Sequence, residues 1–238
     1  MRFSTSFFRG MNTLKPILIS FSGIDGAGKS TQIQKLRSYL ADAGIPVTEL
    51  TFWDNVVMFP RLRSGFSRLV LQSDGSIGTP ERPAKRNDKN AQAWPLLFGR
   101  AALYILDVLN LRRIVAEAKL QGCGVVIFDR YIYDQLAAMP MDSWLARVYA
   151  KILLNLSPRL DVSYVLDAVP EVARARKPEY PIDFMHRQRK SYMRLRQMAG
   201  LHIVPAGEPD EVHSVIVERF QKYVMGPSPE PETSPVTA

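Results

Sequence analysis

Ile17-Leu18-Ile19-Ser20-Phe21 is an apolar run, and Ser22-Gly23-Ile24-Asp25-Gly26-Ala27-Gly28-Lys29-Ser30-Thr31 follows it directly. Beyond that loop, Ile33, Leu36, Tyr39 and Leu40 recur at helical spacing. A buried strand, a glycine-rich loop and a helix in this order leave few folds open. The loop fits G-x-x-x-x-G-K-[ST], the P-loop pattern, which turns a strand end into a helix start. Its glycines let backbone N–H groups converge on phosphate oxygens, and the helix N-terminus adds a favourable dipole. Gly23, Gly26, Ala27, Gly28, Lys29, Ser30 and Thr31 are therefore expected to cradle a polyphosphate. Lys29 would reach its β- and γ-phosphates, and the Ser30 hydroxyl would sit on Mg²⁺.

The rest of the chain alternates in the same way. The first helix is expected to stop at Gly44. Pro46–Trp53 reads as a second strand, and 72–92 as a long polar loop. Trp94-Pro95 opens a long helix to about Gln121, and Val125–Arg130 is a third strand. A helical stretch covers about 133–155. Asp161–Asp167 is a fourth strand, 170–199 a basic helical region, Leu201–Val204 a fifth strand and 209–224 a closing helix. This pattern predicts an α/β fold of the P-loop NTPase kind, a five-stranded parallel sheet with helices on both faces. Residues 1–16 are expected to form a flexible N-terminal extension, with translation from Met1 or Met11 left open. Residues 17–224 would form one domain, and the Pro-rich 225–238 a disordered tail.

Two further clusters carry chemistry. Asp129 ends a strand, where ligands bind in an open α/β sheet. A P-loop site needs an acid there to hold Mg²⁺; the bland alternative is a carboxylate capping the next helix. Arg130 would aim its planar fork into the same crevice, suited to a phosphate. Arg174, Arg176 and Lys177 occupy one helical turn and its end. Such cations stabilise charge that builds on a transferring phosphoryl group, although a solvated basic face is the commoner meaning of such a run. His186, Arg187, Arg189 and Lys190 are assigned to the surface.

Composition narrows the function classes. The chain has 238 residues and 46% hydrophobic content, enough for one sizeable core. Its single cysteine, Cys123, excludes a disulfide framework and a cysteine-based zinc site, and fits a reducing, cytoplasmic setting. The apolar runs are too short or too interrupted to span a bilayer. A net charge of +8 suits either nucleic acid or small polyphosphate substrates. The spread of arginines along the chain favours the second.

Three motifs in order, Gly23–Gln32, Asp129-Arg130-Tyr131 and the lid-like Arg174–Lys177, resemble the thymidylate kinase family of nucleoside monophosphate kinases. The resemblance covers about 17–224. It implies a kinase domain with a short lid at about 169–190, and transfer of the γ-phosphate of ATP, with Mg²⁺, to a deoxynucleoside monophosphate, dTMP to dTDP foremost. It implies that Asp25 approaches the acceptor, that Arg130 holds the acceptor phosphate, and that Pro205-Ala206-Gly207 lies on the adenine side. Some members of that family carry a catalytic arginine in the P-loop, where this chain has Gly26; others carry it in the lid. This chain resembles the lid type, with Lys29, Arg130, Arg174 and Arg176 as its catalytic set.

Departures from the family pattern concern the acceptor. Asp134 replaces a serine that commonly follows Asp-Arg-Tyr, and a Tyr-Gln pair is missing beyond it. Phe98 and Arg100, the candidates for base recognition, stand two apart on the long helix, whereas the family's Phe and Arg stand four apart; an i,i+2 pair does not share a face. Another nucleotide or a phosphorylated metabolite therefore remains open as acceptor. So do a kinase of a metabolite hydroxyl, with Asp25 as base, and a nucleic-acid-binding or signalling P-loop protein. Expected partners are small nucleotides, with neither a membrane nor nucleic acid, and with a homodimer left open.

Overall fold

The computed structural model describes residues 15–57, 94–120, 124–139 and 143–225, with the backbone alone for 94–101. The 72–92 loop, nearly all of the expected N-terminal extension and the tail beyond Met225 lie outside the described residues.

Five strands form one all-parallel sheet: β1 (Ile17–Ser22), β2 (Val47–Thr51), β3 (Val125–Asp129), β4 (Val162–Leu166) and β5 (His202–Val204), in the order β2-β3-β1-β4-β5. Successive strand residues point to opposite faces, so the nearly unbroken burial along β1, β3 and β4 requires cover on both sides. Leu18, Val126, Phe128 and Val165 join a core under α2 (Trp94–Leu120), α3 (Ile132–Ala137), α4 (Trp144–Leu156) and α6 (Ile182–Ala199). Ile17, Ile19, Phe21, Val125 and Ile127 pack with α1 (Lys29–Asp42) and α7 (Pro209–Met225) on the other face. Fully burying a side chain such as Phe128 or Leu36 stabilises the fold by about 1.5–3 kcal/mol.

The sheet order decides where a ligand can bind. From β1 the chain runs outward to β2 and back to β3 on one side, then to β4 and β5 on the other. The loops leaving β1 and β4 part company there and open a crevice at the carboxyl ends of the central strands.

Three expected boundaries differ from the structure. β2 stops at Thr51 and does not continue to Trp53; Phe52–Val56 form a π-helical turn that buries Phe52 and Val56. Asn55 Oδ1 accepts from the Thr51 N–H at 2.7 Å, and Asn110 Nδ2 from α2 donates to the Val56 carbonyl at 2.8 Å. Side-chain partners thus replace the next ladder bond. The stretch 133–155 is two helices, α3 and α4, with Pro140 between them in the sequence. The region 170–199 is also two, α5 (Pro170–Arg176) and α6, separated by Pro178 and Pro181. A proline lacks the N–H that a helix interior requires, and its ring meets the preceding turn.

Candidate active site

The P-loop is clamped from above. Gly26 has φ +82°, and a Cβ built there would run into the Ala173 carbonyl of α5. Gly23 has φ +143°, and its Cβ would lie 2.6 Å from the Leu166 carbonyl at the end of β4. Only glycine meets both demands, a left-handed backbone and a neighbour at van der Waals distance. The space that an arginine at position 26 would need is filled by the helix that carries Arg174 and Arg176.

Lys29 begins α1 and is buried. Its Nζ donates to the Gly23 and Ile24 carbonyls, both at 2.9 Å, and lies 3.9 Å from Asp25 Oδ1. An ammonium has three N–H donors; two of them close the loop from within. Burial, and next the charge of Arg130, push the Lys29 pKa down to about 8, against the pull of Asp134, Asp25 and Asp129. Ser30 and Thr31 are exposed at the same helix end.

At the end of β3, Asp129 and Arg130 part in direction. Asp129 Oδ1 is buried with no hydrogen-bond partner, and burial raises its pKa although Arg130 and Lys29 oppose the rise. Arg130 is the one non-glycine with positive φ among the described residues, +70°. Such a backbone costs about 1–3 kcal/mol and persists only where its surroundings impose it. The Arg130 N–H donates to the Phe21 carbonyl at 2.9 Å. Its guanidinium pairs with Asp25 through Nη2 and with Asp134 through Nη1, the latter at 3.2 Å. Burial opposes the guanidinium charge, but Asp134 and Asp25 outweigh it and raise the pKa above its ordinary value.

A cavity of about 380 Å³ borders the same loop, and Asp25, Lys29 and Arg130 are not among its lining residues. Gly26, Ala27, Gly28 and Thr31 form its floor, Arg176 one wall, and Pro205-Ala206-Gly207 the far end. The structure therefore gathers many of the expected site residues, though not Gly23, Ser30 or Asp129, into two groups. One surrounds the cavity; the other is the Asp25, Arg130 and Lys29 cluster. Arg174 is half-buried beside Ala173 and does not line the cavity. Lys177 is spent on Glu179 at 3.2 Å. The side chains of Phe98 and Arg100 lie outside the described residues. His186, Arg187 and Lys190 are exposed, and Arg189 is half-exposed, its fork holding both oxygens of Asp167 at 2.6 and 2.7 Å.

Sequence reasoning missed how Asp134 is used and missed its partners altogether. Ser22 and Tyr192 are both buried and both donate to it. Tyr192 was legible only as one of the positions 184, 185, 188, 191, 192 and 195 that form the inner face of α6. A buried pair between α2 and α3, Gln135 Nε2 to Asp107 Oδ2 at 2.7 Å, likewise had no signal beyond polar residues on apolar faces.

No protein-family model matches the chain. Among proteins of known name, thymidylate kinase of Chlorobaculum tepidum is 30% identical over 210 residues, spanning 82% of this chain and 87% of that one. Thymidylate kinase of Chlorobaculum parvum is 29% identical over 82% of this chain and 86% of that one. Thymidylate kinase of Symbiobacterium thermophilum is 28% identical over 88% and 89%. A crystal structure of thymidylate kinase from Ehrlichia chaffeensis superposes with a TM-score of 0.55 and 17% identity, covering 87% of this chain and 99% of that one, a likeness of fold. With a strand–P-loop–helix unit at the switch point of a five-stranded parallel sheet, and with relatives matched along nearly their whole length, this chain belongs to the thymidylate kinase family.

Proposed function

We propose that this protein is an ATP-dependent nucleoside monophosphate kinase whose preferred acceptor is dTMP, converted to dTDP, and that residues 17–224 are its kinase domain. The observation that carries the reading is that one loop borders both a cavity and a separate arginine–carboxylate cluster. The cavity floored by Gly26–Gly28 and Thr31 suits the triphosphate, with Arg176 at its wall. The Asp25–Arg130 cluster, which does not line that cavity, suits a second phosphate. In this reading, backbone N–H groups of 26–31 and Lys29 bind the ATP phosphates, and Pro205–Gly207 border the adenine. Arg130 holds the acceptor phosphate, with Asp25 orienting it. Arg174 and Arg176, on the short lid of about 169–190, turn toward the moving group as negative charge builds on it.

An oxygen of the acceptor phosphate attacks the γ-phosphorus, and the bond from that phosphorus to the bridging oxygen breaks, releasing ADP. The attacking oxygen already carries charge, so no side chain has to remove a proton. Asp129 fits a cation ligand, since it is a carboxylate with one oxygen buried and unpartnered; Ser30 would supply the second protein oxygen. Mg²⁺ held there would neutralise charge on the β- and γ-phosphates.

A hydroxyl kinase would need a free base. Asp25 is committed to Arg130, which favours the phosphate acceptor. No helix among the described residues is long and apolar enough to cross a membrane, and a cytoplasmic location belongs to the same reading. The test is ADP release with ATP and Mg²⁺ across dTMP, dUMP, dGMP, UMP, CMP, nucleosides and sugars, with the product identified. Turnover of dTMP to dTDP ahead of the other acceptors is expected. Release only with nucleosides or sugars would overturn the reading, as would steep salt-dependent binding to DNA without turnover.

A further inference from the structure

We propose that Asp134 is the positioning residue of the acceptor-phosphate arginine, holding both the guanidinium of Arg130 and the strained backbone beneath it. The proposal rests on the reading that Arg130 binds the acceptor phosphate. It concerns a position where this chain carries a carboxylate and the family pattern a serine.

Asp134 is buried and both of its oxygens are fully used. Oδ2 accepts from the Ser22 hydroxyl at 2.6 Å and from the Tyr131 N–H at 3.1 Å. Oδ1 accepts from the Tyr192 hydroxyl at 2.8 Å and from Arg130 Nη1 at 3.2 Å. The Tyr131 N–H belongs to the peptide bond that follows Arg130, so its bond to Oδ2 fixes the backbone turn in which Arg130 sits at φ +70°. The same carboxylate then catches the guanidinium of that arginine. Backbone and side chain are pinned by one group, in the first turn of α3.

The remaining geometry leaves the arginine usable. Of five guanidinium donors, one goes to Asp134 and one to Asp25. The two carboxylates hold different Nη atoms, so the fork is braced from two sides and keeps donors for a phosphate. A serine at position 134 could not do this. A hydroxyl has two lone pairs and one O–H, and it carries no charge to offset a buried guanidinium.

Ser22 and Tyr192 give the arrangement its reach. Ser22 is the last residue of β1, directly before the P-loop, and Tyr192 lies on α6, just past the end of the lid. Burial first, and next the Asp134 charge, raise the Tyr192 pKa well above its ordinary value, so its hydroxyl stays a donor. The acceptor arginine, the strand that launches the P-loop and the helix that runs out of the lid meet at one carboxylate.

The test measures KM for dTMP, KM for ATP and kcat in the Asp134→Asn, Tyr192→Phe and Arg130→Ala variants and in the Asp134→Asn/Arg130→Ala double variant. Asp134→Asn is expected to raise KM for dTMP about 10- to 100-fold, the effect of one lost charge-assisted hydrogen bond, with KM for ATP unchanged. Added to Arg130→Ala, it should cost nothing further in KM for dTMP, since the residue it positions is gone. Equal rises in both KM values, or additive losses in the double variant, would overturn the proposal. If Asp134→Asn does not fold, Tyr192→Phe decides: a rise of about 3-fold or more in KM for dTMP alone supports the proposal, and an unchanged value overturns it. An Arg130→Ala variant with normal KM for dTMP would instead defeat the reading of Arg130 itself.

Discussion

Changing Lys29 to methionine keeps most of the length and apolar stem of the side chain and removes its charge. Lys29 is 7% exposed, and its pKa lies at about 8 against 10.5 for a free lysine, first because of burial and next because of Arg130. The sign follows from proton counting. The unfolded chain holds this proton up to pH 10.5, whereas the folded chain releases it above about 8. Between those values the unfolded state binds more protons, so folding stability rises with pH. The difference of about 2.5 between the two pKa values is worth about 3.5 kcal/mol at about 1.4 kcal/mol per unit, and about 2 kcal/mol of it is realised by pH 9.5. Below pH 8 the whole penalty is present. The variant also leaves the Gly23 and Ile24 carbonyls without their donor, so its absolute stability mixes two effects. The pH dependence separates them, because every other group titrates in both proteins. Urea denaturation at pH 7 and pH 9.5 should show the wild type gaining about 2 kcal/mol more than Lys29→Met. Identical pH dependence in the two proteins would refute the account of a strained, buried ammonium. Under the proposed function, turnover by the variant should also fall to background, since in that reading Lys29 supplies a cation to the phosphates.

Gly26→Ala places a methyl group against the Ala173 carbonyl at a left-handed backbone position. It should lower stability by at least about 1–2 kcal/mol from the backbone alone and push α5, with Arg174 and Arg176, off the loop; thermal melting and kcat measured together check both effects, and wild-type values for either would count against the clamp. Asp129→Asn removes a carboxylate whose pKa is raised mainly by burial. A raised carboxyl pKa destabilises the fold above that pKa and relaxes as pH falls, so the variant should melt no lower than wild type at pH 7 while the Mg²⁺ concentration for half-maximal turnover rises; a lower melting temperature with unchanged Mg²⁺ dependence would show a structural role alone.

How far the site could be read in advance depended on the distance over which each residue acts. Gly23 to Thr31 is one continuous segment, and its conformation follows from where glycine, lysine and hydroxyls stand relative to a strand end and a helix start. Asp129 and Arg130 were legible for the same reason, as charges closing an apolar strand. Arg174 and Arg176 were legible as a basic turn, but only packing distinguishes them: Arg176 reaches the cavity wall, and Arg174 does not. Asp134 looked like a missing serine, and nothing in its neighbours along the chain named Ser22 or Tyr192, which stand 112 and 58 positions away.

Local grammar therefore determined the parallel sheet, the phosphate loop and the strand-end charges, because strand alternation, helical period and glycine backbone freedom all act within a few residues. The breaks within 133–155 and 170–199 were not read in advance, although Pro178 and Pro181 stand between the two helices of the second stretch and act over the same short range. Packing alone decided that Gly26 is covered by Ala173, that Lys29 folds inward, and that one buried carboxylate joins β1, Arg130 and α6. Such groups meet only after the sheet has closed and its helices have covered both faces, and it is this burial, more than residue type, that shifts their charges and makes each partner matter.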